Sequence, residues 1–279
     1  MDELEARIAR VLGREVRGLR LVERGYTHAR RLLVELQDGK CVFAKVGSDD
    51  LTSGWLRAEH DFYRQAPGSF VPHLVAWDDH PENALLVLQD LSEATWPPPW
   101  TESRVELVLA ALRELRGCEA DVPSYADRIG REEPGWAEVA RDPNPFLALG
   151  LCSAHWLVES LPALVAAEAE AQTGGDELCH FDVRSDNVCL VGDRALLVDW
   201  NHACRSNADL DLAFWLPSLA SEGGPVPEQI LPGRPELAAM VSGFFAARAS
   251  LPAIPHAPRV REVQRSQLEH ALPWVARCL

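Results

Sequence analysis

This 279-residue chain is poor in lysine: only Lys40 and Lys45 are lysines among its 27 basic residues. The other basic residues are arginines, whose guanidinium is a broad planar fork, whereas the lysine ammonium is a compact charge. A lysine at a place where shape matters is therefore informative in this composition. Chance also leaves a few lysines in an arginine-rich chain, so the position of each one has to decide.

Long hydrophobic runs are also missing, because no stretch reaches the roughly 18 apolar residues of a membrane-spanning helix. Residues 1–5 are acidic and lack the basic and apolar layout of a secretory signal peptide. The seven cysteines include no Cys-x-x-Cys pair, the spacing of many zinc and redox sites. We therefore expect a reduced, cytoplasmic protein with no membrane partner and no disulfide framework.

Positive charge is in deficit. The formal net charge is −15, which argues against a nucleic-acid partner, because phosphate backbones are bound by lysine and arginine. Residues 92–279 carry a net charge of −12, against −3 for residues 1–91. An acidic half attracts cations, so a cationic ligand and a plain solvated surface are both open interpretations.

The first 91 residues alternate between strand and helix patterns. After a helix over residues 2–12, we predict a five-stranded sheet that carries one helix. The predicted strands are 16–23, 30–36, 41–46, 70–77 and 84–91, and the predicted helix in the sheet unit is 51–65.

The turn between the first two predicted strands, residues 24–29, contains one glycine, Gly25, and one hydroxyl, Thr27. Backbone N–H groups and a hydroxyl in such a turn can bind phosphate. No G-x-G-x-x-G pattern occurs there, and an ordinary hairpin turn is the more common identity of such a loop.

Lys45 ends the apolar run of the third predicted strand, and Glu59 lies on or beside the apolar face of the predicted helix 51–65. An inward-facing ammonium needs an anionic partner, because an unpaired buried charge is costly. Glu59 is the natural partner. Taken singly, an edge-strand lysine and a solvated glutamate are the more ordinary identities of these residues.

Three prolines at 97–99 exclude a continuing helix or ladder, so we place a linker at residues 92–102. It separates an N-terminal unit, residues 1–91, from a mainly helical C-terminal unit, residues 103–279. In the latter we predict helices at 103–117, 152–172, 207–219, 235–249 and 257–278, and short strands at 177–181, 187–191 and 194–199.

The short strands carry polar residues at fixed spacing. His180, Asp182 and Asn187 follow one apolar run, and Asp199 ends another, seventeen residues after Asp182. Two carboxylates and an amide on neighbouring loops can orient a hydroxyl and bind a divalent cation. By themselves these residue types fit several metal-assisted reactions.

Three motifs together, H-x-D-x-x-x-x-N at 180–187, Leu-Val-Asp-Trp at 197–200 and Asp-Leu-Ala at 211–213, resemble the aminoglycoside phosphotransferase and choline kinase family. The resemblance covers roughly residues 14–215. It implies an α+β, two-lobed, protein-kinase-like fold with a small antiparallel five-stranded N-lobe carrying one helix and a larger, mostly helical C-lobe. The activity it implies is transfer of the γ-phosphoryl group of ATP to a hydroxyl of a small molecule, with Mg²⁺ as the metal.

The resemblance also implies residue roles. Asp182 is the catalytic aspartate that orients the acceptor hydroxyl, and Asn187 and Asp199 hold magnesium. Lys45 contacts the phosphates of ATP, and Glu59 fixes its direction. These assignments agree with the needs of phosphoryl transfer, which are alignment and neutralised charge.

Supporting roles follow from the same resemblance. His180 and Asp211 brace the catalytic loop, and the backbone at Gln89 and Leu91 bonds adenine. Gly25 and Thr27 belong to the loop over the phosphates. Phe181 departs from the family, since many relatives have glycine there, and Arg184 adds a charge that touches the γ-phosphate or pairs with Asp186.

Two other interpretations stay open. A pseudokinase-like module would bind ATP without turnover, although the four main polar positions are all present. A lyase or hydrolase built on Asp182 and His180 would leave Lys45 and Asn187 unexplained.

The expected partner is a hydroxylated small molecule: an aminoglycoside, another amino-alcohol or a sugar, bound by a monomer or homodimer. A polycation would suit the acidic half, and its candidate contacts are Asp186, Glu222, Glu228, Glu236, Glu262 and Glu269. A quaternary ammonium would need an aromatic cage, for which the candidates are Trp136, Trp156, Trp200, Trp215 and Trp274.

Overall fold

A five-stranded antiparallel sheet followed by a larger helical part makes up the protein, so the predicted α+β class is confirmed. The computed structural model describes residues 2–22, 28–65, 68–81, 83–130, 135–254 and 257–279. Within these ranges, no helix combines the length and the apolar character needed to cross a bilayer.

The N-terminal elements are α1 (Asp2–Leu12), β1 (Val16–Leu21), β2 (Arg30–Leu36), β3 (Cys41–Val46), α2 (Asp50–Gln65), β4 (Leu74–Asp78) and β5 (Leu85–Gln89). The strand order is β1-β2-β3-β5-β4, with every neighbouring pair antiparallel. In β2 the buried Leu32, Val34 and Leu36 alternate with less buried residues, as expected of a strand whose two faces differ in burial.

The two faces of the sheet pack against different cores. One face buries Val34, Ala44 and Val87 together with Ile8 of α1. The other face joins α2 to the large core of the helical part, where the ring of Phe62 stacks on Trp200 with centroids 4.0 Å apart. Because each fully buried large apolar side chain stabilises the fold by about 1.5–3 kcal/mol, this packing holds the sheet and the helical part together.

The second part begins with α3, which Thr101 caps by accepting a hydrogen bond from the N–H of Arg104 at 3.3 Å. Its largest fully buried side chains are Trp136, Trp200, Trp215 and Trp274. Its elements are α3 (Glu102–Arg116), α4 (Tyr125–Arg128), α5 (Gly135–Arg141), α6 (Asn144–Leu147), α7 (Ala154–Ala169), β6 (Glu177–Cys179), β7 (Val188–Val191), β8 (Arg194–Leu197), a 3-10 turn (Trp200–His202), β9 (Cys204–Ser206), α8 (Asp209–Ser221), α9 (Pro227–Ile230), α10 (Pro235–Arg248) and α11 (Val260–Cys278).

The fourth strand differs from its predicted range of 70–77, since it begins only at Leu74. Pro72 has no N–H to give to a ladder. Phe70 and Val71 are buried all the same, and the Phe70 carbonyl accepts a hydrogen bond from Leu197 N–H at 2.8 Å. This apolar pair therefore links the sheet to β8 instead of extending β4.

The segment between the two parts contacts β7 and α8 of the helical part. Thr95 and Leu190 of β7 exchange backbone hydrogen bonds of 3.0 and 2.8 Å. Trp100 is buried against Trp215, with ring centroids 5.6 Å apart, and its indole donates to Glu222 at 2.7 Å. The prediction that residues 92–102 separate two units remains a prediction.

Candidate active site

One cavity of about 860 Å³ lies between the sheet and the helical part. It is lined by Lys45 of β3, Glu59 of α2 and residues of the two loops that follow β6 and β8. We call one side the polar wall, formed by Lys45, Glu59, Asp182, Asn187 and Asp199. The structure thus brings together at one cavity the predicted catalytic aspartate, the two predicted metal ligands, and the predicted lysine and glutamate pair.

Lys45 and Glu59 form a buried ion pair. The Lys45 ammonium lies 2.8 Å from Glu59 Oε2 and 3.1 Å from Oε1, and it also contacts Asp199. Both side chains are almost fully buried. Burial lowers the pKa of Lys45, and the Glu59 carboxylate opposes that shift only in part. Removing one partner of such a pair costs about 3–5 kcal/mol, because the other charge is left unpaired.

Asp182 and Asn187 are hydrogen-bonded to each other within the loop that follows β6. The Asn187 amide nitrogen donates to Asp182 Oδ2 at 2.8 Å and to the Asp182 carbonyl at 2.9 Å. Both amide hydrogens are thereby used, which leaves the Asn187 carbonyl oxygen as the atom suited to ligate a metal.

Arg184 lies between two carboxylates. Its Nε atom is 3.0 Å from Asp182 Oδ1, and its Nη2 atom donates to Asp186 Oδ2 at 3.2 Å. Burial raises the pKa of Asp182, but Arg184, His202, His180 and Asn187 outweigh it and hold that pKa below its usual value. Asp182 is therefore ionised at neutral pH.

His180 has both ring nitrogens occupied. Its Nδ1 atom accepts from the N–H of Asp182 at 3.2 Å, so its Nε2 atom is the donor to the Val198 carbonyl at 2.8 Å. Burial lowers the pKa of His180 to about 4. A neutral imidazole with both nitrogens engaged supports the loop and has no free position to accept a proton.

Asp211 of α8 anchors the start of the same loop. Its carboxylate accepts hydrogen bonds from the N–H groups of His180 at 2.9 Å and Phe181 at 2.7 Å. Burial raises the pKa of Asp211 to about 6, against the effect of these two donors.

Two residues of the site have left-handed backbones. Phe181 and Asp199 each have a φ of 66°, a conformation that costs a residue with a Cβ roughly 1–2 kcal/mol. The glycine of many relatives at position 181 would adopt it without that cost. Strain of this kind persists where surrounding contacts determine the geometry, and it is concentrated at functional sites.

Two of the remaining predicted nucleotide contacts lie at or just after the end of β5, on the sheet side of the cavity. Gln89 and Leu91 line the cavity, although the Gln89 N–H already donates to His73 at 2.9 Å and the Leu91 carbonyl accepts from Trp96 at 3.2 Å. Gly25 and Thr27 lie outside the described residues.

Sequence reasoning missed Arg31 on this side. It lines the cavity directly opposite Lys45 in the β2–β3 register. Strand alternation places Arg31 on one face of β2, but its position beside Lys45 depends on the pairing of β2 with β3. That pairing is not visible in the linear sequence.

Another part of the cavity lining is apolar. We call it the aromatic wall, formed by Tyr125, Phe181, Phe214, Phe244 and Phe245. Neighbouring rings are in contact, with centroids 5.1 Å apart for Tyr125–Phe181, 5.6 Å for Phe181–Phe214 and 5.4 Å for Phe214–Phe244. The wall gathers residues from four distant segments, and no sequence motif pointed to it.

The predicted acceptor contacts lie mostly elsewhere. Asp186 lines the cavity, but the five candidate glutamates are not among its described lining residues. Four of them have other partners: Glu222 accepts from Ser185 and Trp100, while Glu228, Glu236 and Glu269 pair with arginines. The five candidate tryptophans are likewise absent from the described lining, and four of them are fully buried in the core.

No protein-family model matches the chain, and no curated protein sequence matches it. Solved structures do. Macrolide 2'-phosphotransferase MphH from Brachybacterium faecium aligns with a TM-score of 0.59 and 17% identity, covering 96% of this chain and 97% of that one. A choline/ethanolamine kinase family protein from Mesorhizobium loti has a TM-score of 0.58 and 16% identity, covering 99% and 92%.

A third structure, amicoumacin kinase hAmiN in complex with AMP-PNP, Ca²⁺ and Ami, has a TM-score of 0.54 and 10% identity, covering 96% of this chain and 92% of that one. Likeness at such low identity establishes the fold. The chain therefore has the protein-kinase-like fold that small-molecule kinases and phosphotransferases share, as its motifs predicted.

Proposed function

We propose that the protein transfers the γ-phosphoryl group of ATP to a hydroxyl of a small molecule. The observation that carries this proposal is the meeting of Lys45, Asp182 and Asp199 at one cavity, although they come from separate elements. Phosphoryl transfer depends on alignment and on neutralised charge. A buried cation, an ionised carboxylate and a metal-ligating pair meet those needs.

Asp182 orients the acceptor hydroxyl. Its low pKa keeps the carboxylate ionised, so it accepts a hydrogen bond from the hydroxyl and takes the proton as the bond to phosphorus forms. Asn187 and Arg184 each hold one carboxylate oxygen of Asp182. The carboxylate is thus fixed in direction before the acceptor arrives, which is the kind of preorganisation that lowers a barrier.

Asn187 and Asp199 fit a magnesium ion that is bound together with ATP. Their side chains offer hard oxygen atoms. Within the described part of the chain, no group of three or more His, Cys, Asp and Glu side chains is suited to hold a metal ion. Mg²⁺ in phosphotransferases is held by one or two protein ligands plus phosphate oxygens. When bound, the ion neutralises charge on the transferring phosphate.

Lys45 and Arg31 bind the phosphates of ATP from the sheet, and Glu59 fixes the direction of Lys45. Adenine lies toward Gln89–Leu91. We place the nucleotide between an N-terminal unit, residues 1–91, and a C-terminal unit, residues 103–279.

All seven cysteines are free, which supports a reducing, cytoplasmic location.

The proposal is tested by ADP release in a coupled assay, with Mg²⁺ and a panel of hydroxylated small molecules. At least one of them should stimulate ADP release, and Asp182→Asn should lower kcat by about 10³-fold, within the range for a lost general base. Nucleotide binding to the variant, measured by calorimetry, should be retained.

Asp193→Asn is the matched control, because Asp193 lies in the exposed turn between β7 and β8. Its turnover should equal that of the unmodified chain. ATP binding without ADP release for any acceptor would instead identify a pseudokinase-like module, and product formation without nucleotide would identify a hydrolase or lyase.

A further inference from the structure

The aromatic wall is not fully covered by the protein around it. Its five rings line the cavity that contains Asp182, and four of them, Tyr125, Phe181, Phe214 and Phe244, are only partly buried. A partly exposed cluster of rings at a cavity keeps apolar area in water until a ligand covers it.

Phe181 is the key member of the wall, because it lies beside Asp182 in the chain and has a left-handed backbone. A glycine would adopt that conformation without strain. The phenylalanine therefore destabilises the backbone locally, while its side chain lines the same cavity as Asp182. The ring packs on Tyr125 and Phe214, with centroids 5.1 and 5.6 Å away.

Charge is distributed unevenly around the cavity. Among the described lining residues, every Asp, Glu, Lys and Arg comes from the chain before residue 200. The lining residues of α8, α10 and α11 are apolar or neutral, and their polar members are Gln264 and Gln267. A polycation needs carboxylates along its length to replace lost hydration, and these helices do not supply them.

Arg248 further disfavours a cationic ligand at the aromatic wall. Its guanidinium carbon lies 4.3 Å from the centroid of the Phe244 ring. This ring therefore already has a cation beside it, and a second cation near it would meet repulsion.

We propose that the acceptor is an uncharged alcohol with an extended apolar face, which lies on the aromatic wall while its hydroxyl points to Asp182. This inference rests on the proposed function and specifies its substrate class. Apolar burial contributes most of the acceptor affinity, and Gln264 and Gln267 bond neutral polar groups at the far edge.

The test is a homologous series that keeps one hydroxylated head and enlarges its apolar group: D-glucose, then methyl, butyl, phenyl and octyl β-D-glucosides. Binding to the full chain is measured by calorimetry with Mg²⁺ and AMP-PNP, so it does not depend on turnover. Affinity should rise along the series by up to about fourfold per buried methylene group, whereas a polyamino sugar should bind at least tenfold more weakly than the octyl glucoside.

Phe181→Gly removes the ring and relieves the backbone. We expect its octyl glucoside affinity to fall at least tenfold, its glucose affinity to change less than twofold, and its Tm to stay within a few degrees. Phe146→Leu is the control, because Phe146 is a buried phenylalanine outside the described cavity lining. It should lower Tm without changing the slope of the series.

The outcomes separate the two proposals. Binding that rises with apolar size but without ADP release for any acceptor would uphold the acceptor class and contradict phosphotransfer. Turnover that favours the polyamino sugar, a flat series, or an unchanged series in Phe181→Gly would overturn the acceptor class, while leaving phosphotransfer in place.

Discussion

The polar wall and the aromatic wall line one cavity, yet they are stabilised in opposite ways. The polar wall places Lys45, Glu59 and Asp182 in or near a desolvated interior, where each ion depends on its partners. The aromatic wall consists of rings that gain free energy from contact with one another. The polar wall is therefore costly to fold, and contacts with surrounding residues hold it in place.

Two observations show this cost. Asp199 of the polar wall has a left-handed backbone, and Asp211, which accepts hydrogen bonds from the loop that contains Asp182, has a pKa raised by burial. The stacking of Trp200 on Phe62, with centroids 4.0 Å apart, and its edge contact with His180 at 4.3 Å connect α2 to the catalytic loop. Aromatic packing thus stabilises the frame within which the strained polar groups persist.

The largest expected effect that sharpens the comparison is the loss of Lys45. Lys45→Met leaves Glu59 buried without its cation, so we expect kcat/KM for ATP to fall at least 100-fold and Tm to fall. The only other lysine, Lys40, is exposed in a turn, and Lys40→Met should change neither quantity. Coupled ADP-release kinetics and thermal unfolding of both variants give the answer. Equal behaviour of the two variants would contradict a phosphate-binding role for Lys45.

A second prediction concerns pH. The folded-state pKa of Asp211, about 6, lies above its ordinary value of 3.8, so the native state binds more protons between these values. The contribution of Asp211 to the free energy of unfolding should therefore fall by up to about 3 kcal/mol as pH rises from about 4 to about 6. Urea unfolding of the unmodified chain and of Asp211→Asn across this range isolates that contribution.

Asp211→Asn removes this titration, and the difference in stability between it and the unmodified chain should change with pH by the same amount. If the difference in the free energy of unfolding between the two chains were constant across the range, burial would not raise the pKa of Asp211.

The smallest effect is expected at the aromatic wall. Arg248→Met removes the guanidinium beside Phe244, and we expect the affinity for a small quaternary ammonium alcohol to rise about threefold, since an exposed cation–π contact contributes about 0.5–1 kcal/mol. Calorimetry with choline measures this, and octyl glucoside serves as the uncharged reference. An unchanged or lower affinity for choline in Arg248→Met would contradict the assignment of Arg248.

The polar wall could be predicted because its residues follow one another at short, fixed intervals. His180, Asp182 and Asn187 lie on one loop, and Asp199 ends the following hairpin. Local apolar runs place such loops at strand ends. The scarcity of lysine pointed to Lys45 as a candidate, and the apolar pattern of the predicted helix pointed to Glu59 as its partner. The structure shows these two in contact, 2.8 Å apart.

Other features could not be read from the chain. The fourth strand begins later than its apolar run because Pro72 cannot join the ladder. The strand β9 pairs with β6 across a sequence separation that local patterns do not reveal. The candidate tryptophans and glutamates were chosen by residue type alone, and core packing and arginine partners occupy most of them.

The α+β class, the order of the main elements and the residues of the polar wall could be predicted from the sequence, because spacing along the backbone controls which groups share a loop. The aromatic wall forms only in the folded protein. Tyr125, Phe181, Phe214 and Phe244 meet only after α4, the catalytic loop, α8 and α10 have packed together. Apolar contact has no direction and no fixed spacing, so a linear chain holds no local signal for it.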